Sequence, residues 1–222
     1  MFDSYLIKGM NSIFEDIAFV ENEVYERIIA EIGSHKYCIV DDFFPSETVA
    51  LLRQSLITKL EEDRFKKAAI GNRVNETIVK SIRGDHILWI EEVLANRAEG
   101  LFYDQINDMV AYLNRTCFMG ILQKEFHYAL YPTGTFYKRH IDTFQNDDRR
   151  KLSIVCYLND EDWQPENGGE LVLYLNNDVE EVPKIIYPLP GRMVIFESQI
   201  IEHEVKTVST QRLSITGWLK TR

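Results

Sequence analysis

Residues 136–142, Phe136-Tyr137-Lys138-Arg139-His140-Ile141-Asp142, decide how the second half of this chain is read. They follow a break at Pro132-Thr133-Gly134 and have the composition of a short strand. Side chains two apart on a strand share a face. His140 and Asp142 are therefore presented together, with Ile141 turned the other way. An imidazole beside a carboxylate can be a pair of metal ligands or a chance neighbourhood, and the two residues alone do not decide.

Outward from this run, similar short segments recur. Glu125–Tyr131 precedes it; Leu152–Leu158, Glu170–Tyr174, Lys184–Tyr187, Arg192–Phe196, His203–Lys206 and Arg212–Leu219 follow. Turn residues separate them at Asn167-Gly168-Gly169 and Leu189-Pro190-Gly191. The first half reads as helical. Ile13, Ile17, Val20, Val24 and Ile28 recur at helical spacing, with Gly33 as the stop. A short strand over 36–42 comes next, then a helix with Val49, Leu52, Leu56 and Leu60 on one face. Residues 61–86 are charged and irregular, Ile87 to Ile90 are apolar, and a third helix carries Leu101, Phe102, Ile106, Met109, Val110 and Leu113. Helices followed by about eight strands predict an α+β, mainly β fold: a double-stranded β-helix (jelly roll) with the N-terminal helices packed on one sheet. Residues 1–35 form a helical extension in this reading, and 36–222 form the main domain, with its core over about 122–220. The extension carries no motif. It either packs on the sheet or mediates dimerisation, so monomer and homodimer both stay open.

A net charge of -10 argues against a protein that tracks nucleic-acid phosphates. No run approaches the ~18 apolar residues of a membrane span. The start, Met1-Phe2-Asp3, lacks a signal-peptide pattern. Cys38, Cys117 and Cys156 are odd in number, far apart and set in apolar stretches, which predicts three buried reduced thiols and a cytoplasmic protein.

The metal reading gains weight from His203, 61 residues beyond Asp142 at the start of a later strand. Two histidines and one carboxylate on one face of a metal leave positions open for oxygen chemistry. Arg212 lies nine residues after His203. It either points into the barrel, where its fork suits a carboxylate, or makes a surface salt bridge beside Ser214 and Thr216. Sequence does not choose between these two. His35, His86 and His127 are read as structural.

With these residues in place, the chain resembles the prolyl 4-hydroxylase superfamily of iron/2-oxoglutarate oxygenases, and within it the hypoxia-inducible-factor prolyl hydroxylases and their bacterial relatives. The resemblance runs from about Tyr37 to Leu219. It rests on 38–43 (Cys-Ile-Val-Asp-Asp-Phe), on 82–91 (Ile-Arg-Gly-Asp-His-Ile-Leu-Trp-Ile-Glu), on Tyr131-Pro132 with 137–142, on Tyr157-Leu158-Asn159, on Gly168-Gly169-Glu170-Leu171, and on His203-Glu204-Val205 through Arg212 to Trp218. It implies that His140, Asp142 and His203 hold iron(II). Arg212 and Tyr157 would grip the distal carboxylate of 2-oxoglutarate, with Tyr131, Tyr137, Thr216 and Leu171 completing the cosubstrate pocket. Arg83, Asp85, Trp89, Arg150 and Trp218 would form the lid and substrate entrance. Dioxygen is the co-reactant, ascorbate a candidate reductant, and the implied partner a protein with an exposed proline loop. Three alternatives stay open: the same chemistry on a free amino acid or other small molecule, a zinc hydrolase using the same three ligands, and a non-catalytic interaction domain.

Overall fold

The computed structural model describes residues 20–62, 64–67, 82–143, 149–176 and 180–221. Ile13, Ile17 and most of the irregular segment after residue 67 lie outside these.

Helix α1 spans Glu23–His35. The Asn22 side chain starts it by accepting from the N–H groups of Val24 and Tyr25. Tyr25, Ile28 and Ile32, spaced by three and four residues, form its buried face. Val20 and Val24 are exposed, outside that face. Gly33 does not stop the helix, as its position had suggested. Lys36 does, in the left-handed conformation (φ 70°), donating its N–H to the Ile32 carbonyl. Helix α2, Ser46–Glu61, buries Val49, Leu52 and Leu56. Helix α3, Arg97–Cys117, opens with a reciprocal cap between Asn96 and Glu99 and buries Phe102, Ile106, Met109 and Leu113. Leu101, expected on that face, is exposed.

Among the described residues, eleven strands form two sheets. They are β1 (Tyr37–Val40), β2 (Lys66–Lys67), β3 (His86–Ile90), β4 (Gln123–Tyr131), β5 (Tyr137–His140), β6 (Arg150–Tyr157), β7 (Leu171–Asn176), β8 (Glu181–Ile186), β9 (Met193–Glu197), β10 (Glu202–Val205) and β11 (Arg212–Lys220). The larger sheet has the order β1-β9-β6-β11-β4-β3-β2, the smaller one β5-β10-β7-β8. All described pairings are antiparallel. Every strand expected in the second half is present.

The alternation of side chains divides the larger sheet into two chemistries. Phe126, Tyr128 and Leu130 of β4, Leu152, Ile154 and Cys156 of β6, and Leu213, Ile215 and Leu219 of β11 pack with the three helices in one apolar cluster. The intervening residues face the smaller sheet. Ala129, Tyr131, Val155, Tyr157, Val194 and Phe196 join Leu171, Leu173, Ile186 and Val205 in a second cluster. Both faces are thus covered, and Ser214, which might have faced water, is fully buried. The fold is the double-stranded β-helix with its helices on one sheet. Helix α1 belongs to the helical layer: the Tyr25 and Tyr112 rings meet edge-on at 5.3 Å, and the Tyr25 hydroxyl donates to Asp108.

Two further expectations fail locally. The strand predicted over 136–142 ends at His140, so Ile141 and Asp142 lie just beyond it. Cys38 and Cys156 are buried, but Cys117 is exposed. It is the last residue of α3, next to Phe118, which is itself 88% exposed; an apolar neighbourhood in sequence is here not one in space.

Candidate active site

His140 and His203 face each other across the β5–β10 ladder, where their Cα atoms are direct partners. A register shift in β10 follows at once, between His203 and Val205. The ring centroids are 4.2 Å apart. Asp142, one step past the strand end, turns its carboxylate onto both rings: Oδ1 is 3.5 Å from His140 Nε2, and Oδ2 is 3.7 Å from His203 Nε2. Three ligand atoms, one from each residue, lie within 4.8 Å of one another.

The histidines are set for coordination through Nε2. His140 Nδ1 is 2.8 Å from the Lys138 carbonyl and His203 Nδ1 is 3.2 Å from the Ile201 carbonyl. A carbonyl only accepts, so both Nδ1 atoms carry the proton and both Nε2 lone pairs are free. Burial pulls the pKa of His203 down to about 4, against the opposing pull of Asp142. Burial would raise the Asp142 carboxyl, but His203, His140 and Ser153 together hold it well below the usual carboxylate range. Ser153 Oγ donates to Oδ2 of Asp142 at 2.6 Å and shares a 2.8 Å contact with Ser198 Oγ. Phe196 closes the back of His203, ring to ring at 4.7 Å.

Arg212 points inward. It is 1% exposed, and its guanidinium lies 5.0 Å from the Tyr131 ring centroid and 4.9 Å from that of Tyr157. Nη1 donates to Ser214 Oγ at 3.3 Å, and among the described residues Nε has no partner. The buried Tyr157 hydroxyl, which feels the Arg212 charge, also has no well-formed hydrogen bond among the described residues. A buried cation without an anion is costly. The orphaned donors fit a bound dicarboxylate. Gly169 gives the arginine its room: at φ +73° it packs so closely that a Cβ there would stand 2.8 Å from Arg212 Cδ.

A cavity of about 640 Å³ joins these groups. Arg212, Tyr131, Leu171, Thr216, Tyr137, His140, Asp142 and His203 line it, and Arg83, Asp85, Trp89, Arg150 and Trp218 line it as well. Tyr157 stands one layer behind, against Arg212. The segment expected to be a lid is clamped to β5: Gly84 N–H donates to the Phe136 carbonyl and Lys138 N–H to the Ile82 carbonyl. Arg83 makes two bonds to Asp85, at 2.8 and 2.6 Å, and lies 4.3 Å over the Tyr137 ring. Arg150 stacks 3.5 Å over Trp218 and donates to the Asp142 carbonyl at 2.8 Å. Thus the residues expected at the entrance line the same cavity as His140, Asp142 and His203. His35 is exposed at the end of α1. His127, read as structural, lines the cavity. Ser153 was missed, because its partner Asp142 comes from the other sheet.

Comparison with known proteins agrees with this geometry. Residues 126–220 match the family described as the 2OG-Fe(II) oxygenase superfamily. The crystal structure of a prolyl-4-hydroxylase from Pseudomonas putida superposes with a TM-score of 0.79 at 33% identity, covering 89% of this chain and 99% of that one. The chain belongs to the 2OG-Fe(II) oxygenase superfamily. This oxygenase also resembles a Trichoplax adhaerens prolyl hydroxylase, solved in complex with a hypoxia-inducible-factor oxygen degradation domain peptide fragment (TM-score 0.78, 25% identity, 89% of each chain). Human Egl nine homolog 1 is 28% identical over 201 residues, 87% of this chain and 46% of the relative. The chain spans about half the length of the mammalian curated relatives it matches. Oxygenases of this superfamily use iron(II), 2-oxoglutarate and dioxygen, and the donor set of two imidazoles and one carboxylate suits iron(II).

Proposed function

We propose that this oxygenase hydroxylates a proline within a peptide segment, in the simplest case an exposed loop of a protein substrate. The observation that carries the oxygenase part is Arg212: a buried guanidinium with no carboxylate on it among the described residues, in the same cavity as the His140-Asp142-His203 cluster. Zinc hydrolysis does not require that cation, whereas a cosubstrate with a second carboxylate does. Proline as the target is supported by the prolyl hydroxylases among its relatives and by the aromatic entrance of Trp89 and Trp218.

In this reading His140 Nε2, His203 Nε2 and an oxygen of Asp142 hold the iron. Arg212 and the Tyr157 hydroxyl bind the distal carboxylate of 2-oxoglutarate, and Tyr131 and Thr216 flank it. Leu171, Val205 and Phe196 keep water from the reacting centre. With iron(II) bound, one atom of dioxygen enters the substrate C–H bond as hydroxyl; the other converts 2-oxoglutarate to succinate, with loss of carbon dioxide. The chain's own part is to orient and shield, and no side-chain base is required. Arg150 and the Arg83–Asp85 pair shape the entrance through which a peptide approaches.

The test is oxygen-dependent succinate formation with iron(II), 2-oxoglutarate and peptides carrying a single proline, followed by mass spectrometry. One added oxygen on proline supports the proposal. Turnover on free amino acids alone, or oxygen on another residue type, overturns the peptidyl-proline reading.

A further inference from the structure

His127 stands midway along β4 on the cavity side and is 3% exposed. Its Cα pairs with Trp89 on one neighbouring strand and Thr216 on the other. The Trp89 ring meets it edge-on at 5.0 Å, and the Trp218 ring lies 5.6 Å away. Burial lowers its pKa to about 3; Arg83 and Arg150 add to the effect, while Asp85 and Asp142 oppose it. The ring is therefore neutral, with one N–H donor and one bare nitrogen.

Which nitrogen carries the proton follows from the surroundings. Nδ1 is shut away from solvent and has no hydrogen-bond partner. A buried N–H without a partner is rarer and costlier than an unfilled lone pair. The proton therefore belongs on Nε2, and His127 presents a neutral donor to the cavity it lines.

We propose that His127 is a specificity residue: its Nε2–H donates a hydrogen bond to a backbone carbonyl of the bound peptide, beside the residue being oxidised. This rests on the peptide reading above. A neutral donor matches a neutral acceptor, and a carbonyl is the acceptor that every peptide supplies next to its target side chain. The two guanidinium groups whose fields reach the ring are engaged elsewhere, Arg83 with Asp85 and Arg150 with the main chain of Asp142. The neutral imidazole itself brings no charge that would select an anionic side chain. The flanking indoles would pack on the apolar ring while His127 reads the chain that carries it.

The experiment uses an array of peptides, each with one central proline, assayed with the iron-loaded full chain. The best peptide is then compared on wild type, His127→Phe, His127→Asn and His127→Gln. A glutamine amide nitrogen falls near the position of Nε2, an asparagine nitrogen near that of Nδ1. The peptide KM is expected to rise about tenfold in His127→Phe and His127→Asn, and to stay within about twofold in His127→Gln. The KM for 2-oxoglutarate should move in none of the three. Thioamide replacement of single carbonyls, which weakens the acceptor, should raise the wild-type KM at one position and leave His127→Phe insensitive there. Equal peptide KM in wild type and His127→Phe overturns this inference alone, as does recovery by asparagine rather than glutamine. If wild type turns over no peptide in the array, the peptidyl-proline reading falls and takes this inference with it.

Discussion

The Ser153 hydroxyl reaches across from the larger sheet and donates a 2.6 Å hydrogen bond to Oδ2 of Asp142, an oxygen that also faces His203. Asp142 sits beyond the end of β5, so the strand ladder does not fix its side chain. Ser153, fixed within β6 and backed by Ser198, does. Outer partners of metal ligands of this kind typically contribute 10–100-fold in affinity. Ser153→Ala is expected to weaken iron(II) binding by about tenfold, measured by anaerobic titration. Unchanged affinity would show that Asp142 is held by the histidines alone.

Arg212 makes a less intuitive prediction. Its charge is buried without a counter-charge among the described residues, so replacement by an apolar side chain of similar length removes a cost from the ligand-free fold. Arg212→Met should melt at a higher temperature than wild type without 2-oxoglutarate. Its affinity for 2-oxoglutarate should fall by about 2–5 kcal/mol, the scale for losing one partner of a buried charge pair. A lower melting temperature together with intact cosubstrate affinity would refute the assignment.

The neutral state of His127 predicts a pH dependence of stability. Its pKa in the fold, about 3, lies below the ordinary value of 6.5. As pH falls through 6.5 the unfolded chain takes up a proton that the folded chain does not, so stability present above 6.5 is lost on the acid side. Between pH 7 and pH 5 this one group should cost about 2 kcal/mol. Denaturant unfolding at both values, compared with His127→Gln, isolates the contribution. A slope no shallower in the variant would mean that the ring is protonated in the fold.

Gly217 tests the helical side of the same sheet. A Cβ there would collide with the backbone oxygen of Glu125 and the ring of Phe126, which itself packs edge-on against Phe102 at 4.9 Å. Gly217→Ala should destabilise the fold by about 1–3 kcal/mol or more, read as a drop in melting temperature.

What the sequence made legible was local or periodic. The alternation in Arg212–Leu219 marks Leu213, Ile215 and Leu219 as one face, and the spacing of Phe102, Ile106, Met109 and Leu113 marks a helix; both hold. His140, Asp142 and His203 could be nominated because their residue types are rare and chemically specific. The direction of Arg212 was not decidable, since Ser214 and Thr216 beside it look like a solvated face. Only the second sheet, β5-β10-β7-β8, turns that face into an interior. His127 and Ser153 stayed hidden for the same reason: their meaning comes from Trp89, Trp218 and Asp142, which lie on other segments and meet them only in the fold. Cys117 shows the converse, an apolar stretch of sequence that lies on the outside.

Strand β11 serves two masters. Odd-numbered positions Leu213, Ile215 and Leu219 anchor the helical layer, while even-numbered positions Arg212, Thr216 and Trp218 face the cavity. Slippage by one residue would send the arginine into grease and a leucine into the pocket, so the strand has little freedom to drift. Divergence in what such oxygenases accept would therefore accumulate elsewhere, on the Ile82–Asp85 clamp, whose residues take no part in the helical cluster.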